Sequence, residues 1–93
     1  MTLSKEVIDR IAELAADLTP PSEIAAILDL DLDLFRMELS IKDSPVRIAY
    51  YKAKATTAHV LRKQEIEFAK VGSPLAVQLT GMYLRDMTAD EDY

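Results

Sequence analysis

The chain contains no cysteine, which excludes disulfides, thiolate nucleophiles and every cysteine-ligated zinc or iron–sulfur site. Histidine occurs once, at His59, so a two-histidine metal site would need a second protomer. Long apolar runs are missing as well. The longest, Ile24-Ala25-Ala26-Ile27-Leu28, falls far short of the roughly 20 residues that span a membrane. No basic-then-apolar leader opens the sequence, and the expected location is cytoplasmic. The only two glycines, Gly72 and Gly81, cannot build a phosphate-cradling loop. A lone His59 on a helix offers no serine–histidine–acid geometry. The expectation is a non-enzymatic protein with no cofactor and no metal.

What is present is the balance of a globular protein: 93 residues, 49% apolar and 29% charged. Net charge is −5, but it is unevenly distributed. Residues 1–41 carry three basic and nine acidic side chains, residues 42–70 seven and three, and residues 71–93 one and four. An acidic chain repels polyanions, yet the basic middle segment is a candidate nucleic-acid surface. Its other reading is a solvated helix face balanced by acidic neighbours.

Sparse glycine and the placement of proline predict an all-α fold. Thr19-Pro20, Ser44-Pro45 and Ser73-Pro74 each pair a capping hydroxyl with a proline suited to the first helical position. Helical periodicity then predicts an N-terminal helix over 5–18, burying Val7, Ile8, Ile11, Leu14, Ala15 and Leu18. A short helix over 20–28 buries Ile24, Ile27 and Leu28, and a third over 32–41 buries Leu32, Phe35 and Leu39. A long helix over 45–71 carries the apolar stripe Val46, Ala49, Tyr50, Ala53, Val60, Leu61 and Phe68, with Gly72 as its left-handed cap. A last helix over 74–87 buries Leu75, Leu79, Met82 and Tyr83. The expected organisation is one helical domain: a helix plus helix-turn-helix over 1–42, a helical hairpin over 43–87 and a frayed acidic tail over 88–93.

Leu28-Asp29-Leu30-Asp31-Leu32-Asp33-Leu34 alternates as a half-buried strand does. A lone strand would leave its backbone unpaired, whereas a turn lets Leu30 plug the core and Asp31 cap the next helix. We read a turn. The three aspartates also mimic the start of a calcium loop, but Leu34 stands where glycine is needed and Ser40 where a bidentate glutamate is needed. Capping and surface roles are expected instead. The stretch from Ser22 to Asp31, with Ala25 permitting close approach and Leu30 in the turn, has the helix-turn-helix pattern. Asp29 occupies the position that usually takes glycine for a positive φ.

In that pattern the 32–41 helix would face DNA. Arg36 is the candidate for a guanine edge, and Ser40 and Lys42 for phosphate. Arg47, Lys52 and Lys54 extend the candidate set along the basic segment. Arg36 in exposed ion pairs is the bland alternative. Tyr50-Tyr51-Lys52-Ala53-Lys54 interleaves aromatics with cations. One tyrosine is expected inward and the other near the lysines, for core packing or for stacking on a base.

Three blocks together resemble a recurrent phage arrangement. They are Ser44-Pro45-Val46-Arg47-Ile48-Ala49-Tyr50-Tyr51-Lys52-Ala53-Lys54-Ala55, Leu61-Arg62-Lys63-Gln64, and Phe68-Ala69-Lys70-Val71-Gly72-Ser73-Pro74-Leu75-Ala76. With the upstream helix-turn-helix, the chain over about 20–85 is similar to phage terminase small subunits, prophage-encoded copies included. The resemblance implies DNA packaging without catalytic residues. It also implies double-stranded DNA met by Leu32 to Ser40, homo-oligomers built through the hairpin, and delivery to a large terminase subunit. The rival expectation is a helical protein–protein interaction or oligomerisation module that binds no DNA. A small enzyme would reveal itself by metal or cofactor uptake.

Overall fold

The computed structural model describes residues 2–91. Five helices hold 81% of them, and no strand occurs among the described residues, so the fold is all-α. The helices are α1 (Lys5–Ala16), α2 (Pro21–Leu28), α3 (Leu32–Ser40), α4 (Pro45–Lys70) and α5 (Pro74–Glu91). The chain divides into two compact units, Met1–Thr57 and Ala58–Tyr93. The division falls inside α4, whereas the sequence suggested a change of region at 42–43.

In the first unit each helix boundary has a local cause. Ser4 accepts from the Val7 N–H to start α1. That helix ends at Ala16, two residues before the expected end, because Leu18 turns left-handed at φ 60°. The Leu18 and Thr19 N–H groups then bond back to the Ala15 and Leu14 carbonyls, a Schellman closure without its usual glycine. This closure displaces the Thr19-Pro20 start. Pro20 becomes the cap residue, α2 begins at Pro21, and no side chain caps it. Asp29 closes α2 in the left-handed region, at φ 55° and ψ 44°, and Leu30 bonds back to the Ala25 carbonyl. Asp31 then caps α3 by accepting from the Leu34 N–H at 3.0 Å. The alternating segment is therefore a turn between two helices.

The core of this unit joins Ile11, Ala15, Ile24, Ala25, Phe35, Leu39, Val46 and Tyr50. Leu30 and Leu32 pack against it from the turn and from the start of α3. Thr57 on α4 donates to the Ala16 carbonyl at 2.6 Å, so α4 satisfies a carbonyl at the end of α1. Two expected core residues lie outside. Leu18 is carried outward by the left-handed closure, and Ile27, about 60° round α2 from Ile24 and about 160° from Ala25, falls beyond the edge of the buried face; both are exposed.

Ser44 begins α4 as expected, accepting from the Val46 N–H at 3.1 Å while donating to Glu38 Oε1 at 2.7 Å. In the second unit, Gly72 ends α4 at φ 93° and Ser73 caps α5 through the Ala76 N–H. Helix α5 continues through Thr88 to Glu91, where a tail was expected, since no glycine or proline follows Gly81 and Thr88 donates back to the Leu84 carbonyl. Asp92 and Tyr93 lie outside the described residues. Ala76 is the buried hydrophobic residue here; Val60, Leu61, Phe68, Leu75 and Met82, all expected inside, are exposed. Their periodicity is helical, but the second unit has no further helix to cover them.

Candidate nucleic-acid interface

Helix α3 turns Phe35 and Leu39 into the core, at 0% and 7% exposure. At 100° per residue, Met37 must then point directly away, with Leu34 beside it. Both are exposed, Met37 at 63%. The outward face also carries Asp33, Arg36 and Ser40, all exposed. Met37 and Leu34 were not singled out from sequence. The signal was present, since Met37 lies two residues from both inward positions.

The six cation and hydroxyl candidates have different fates. Arg36 and Lys42 are exposed and make no ion pair among the described residues, so the expected alternative of Arg36 paired with helical neighbours is not found. Ser40 donates its hydroxyl hydrogen to the Met37 carbonyl at 2.6 Å, which leaves only its lone pairs; its use as a phosphate donor is thus not supported by this geometry. Arg47 is half-buried and donates from Nη1 to the Leu39 carbonyl at 2.6 Å, closing the C-terminal end of α3.

The same guanidinium lies over the Tyr51 ring, 4.8 Å from its centroid, and Lys54 Nζ approaches that ring at 5.7 Å. Arg47, Tyr51 and Lys54 thus form one row along α4, each a helical turn from the next. Lys52 does not join it. Two residues from Lys54, it projects about 160° away. Tyr50 is the inward tyrosine, stacked edge-on against Tyr51 at 5.1 Å. Burial pushes the Tyr50 phenol above its ordinary value, and Tyr51 adds to the shift. A recess of about 230 Å³ between Leu18, Pro20, Tyr50 and Lys54 lies at the edge of this row.

The site therefore runs from an apolar outward face on α3, flanked by Asp33 near its start, to cations at its far end. Among the described residues no group of histidine and carboxylate side chains is placed to hold a metal ion. In the second unit, a cleft of about 660 Å³ opens between α4 and α5. Ile66, Leu84 and Met87 line it together with Arg62, whose guanidinium sits 6.0 Å from the Tyr83 ring centroid. No protein-family model, curated protein or solved structure matches the chain.

Proposed function

We propose that this chain is a non-enzymatic, self-assembling DNA-binding protein of the phage terminase small-subunit type. The helix-turn-helix meets duplex DNA, the hairpin joins copies, and the assembled protein presents DNA to a large terminase subunit in the cytoplasm. One observation carries the reading: the second helix of a helix-turn-helix corner leaves a full face outside the core, and its C-terminal end leads into Lys42 and the Arg47–Tyr51–Lys54 row. That arrangement suits a helix entering a groove with cations left for the flanking phosphates.

Assembly is supported by the second unit. Below about 40 residues a unit without disulfides or metal usually needs association to stay folded. This one exposes Phe68, Val71, Leu75, Leu84 and Met87, among others, and buries Ala76. Titration of a labelled duplex across salt tests the DNA step. With three exposed cations as phosphate contacts, Arg36, Lys42 and Lys54, log affinity should fall against log salt with a slope of about −2 to −3 per copy. Absence of binding at low salt would overturn it. The exposed apolar surfaces also favour a second reading, an interaction module without DNA, which predicts association in light scattering and no response to duplex.

A further inference from the structure

An apolar face is an unusual tool for reading DNA, and its chemistry restricts what it can read. Hydrogen-bonding side chains distinguish guanine, adenine and cytosine by their donors and acceptors, whereas an apolar side chain recognises the one apolar group on the major-groove edge, the C5-methyl of thymine. Leu34 and Met37 occupy the first two turns of α3, the part of a helix-turn-helix that reaches base edges. They are 48% and 63% exposed, with Met37 at the centre of the outward face. Charge orients the helix. Asp31 and Asp33 at its start are repelled by phosphate, while Lys42 and Arg47 at its far end attract it. The far end of α3 is thus directed towards the backbone. Ser40 adds no competing donor, because its hydrogen is held by the Met37 carbonyl.

Resting on the DNA-binding reading above, we propose that α3 reads thymine through its C5-methyl group, with Met37 and Leu34 as the specificity-determining residues. The test uses the full chain and a duplex of mixed A·T pairs, prepared with thymine or with deoxyuridine, which lacks only that methyl. Removing one methyl group that α3 touches should weaken binding about fourfold. A G·C duplex made with 5-methylcytosine restores a methyl at the same edge and should bind better than its unmethylated form. Met37→Ala should bring the thymine-to-deoxyuridine ratio towards one, whereas Lys54→Ala should weaken both duplexes equally.

Equal affinity for thymine and deoxyuridine duplexes, with salt-dependent binding intact, overturns the proposal and leaves the DNA reading standing. No salt-dependent binding to any duplex removes that reading, and the proposal with it. A Met37→Ala variant that changes the association state in light scattering but not the base ratio assigns the face to a second copy, and also overturns the proposal.

Discussion

Arg47 donates a hydrogen bond from Nη1 to the Leu39 carbonyl at 2.6 Å, while its guanidinium covers the Tyr51 ring. One side chain thus closes α3 and heads the cation row on α4. Arg47→Ala should lower the stability of the folded chain by about 1–2 kcal/mol, measured by urea denaturation, because a carbonyl loses a charged donor. Lys54→Ala, at an exposed site without such a bond, should stay within about 0.5 kcal/mol. Equal effects would show that the Arg47 bond contributes nothing to stability.

Two non-glycine residues hold left-handed backbone, Leu18 and Asp29. Leu18→Gly should raise stability by about 1 kcal/mol by relieving the clash of Cβ with the carbonyl that follows. Asp29→Gly should gain less, since aspartate tolerates this region, and Asp29→Val should destabilise. Thermal unfolding followed by circular dichroism checks the order.

Phe35 is fully buried at the centre of the first unit. Phe35→Ala should cost about 3–5 kcal/mol, enough to melt a marginal domain of this size. Loss of helical signal at 25 °C, against its retention in Met37→Ala, is the expected contrast.

The raised phenol of Tyr50 links stability to alkaline pH. The unfolded chain releases this proton near the ordinary value of about 10, and the folded chain holds it to higher pH. Its contribution is complete below pH 10 and is lost as pH rises through the folded-state value. Tyr50→Phe should leave stability at neutral pH nearly unchanged and flatten the decline above pH 10. A variant that declines as steeply as the parent would refute the link.

The fold was legible where two local signals agreed. Ser44-Pro45 and Ser73-Pro74 set the starts of α4 and α5, and Asp31 capped α3 where Leu30 entered the core. Thr19-Pro20 misled, because the Schellman closure at Leu18 moved the start of α2 on by one residue. Periodicity identified Val60, Leu61, Phe68 and Leu75 as apolar rows, but it carries no information about whether the covering surface belongs to the same chain. For the site, residue types placed the cations. The separation of Lys52 from the Arg47–Tyr51–Lys54 row followed from helical geometry, whereas the Arg47 bond to Leu39 depends on two helices meeting.

Helix α4 is one unbroken hydrogen-bonded ladder laid across two environments. Its buried side chains, Val46 and Tyr50, lie before the division at Thr57, and none follows it. Amide protons should therefore exchange slowly along the first half and quickly along the second, so that fraying starts at the glycine end and stops where Thr57 grips Ala16. That hydroxyl works as a latch on the winding, and how far the helix stays wound becomes a readout of whether anything has come to cover its exposed half.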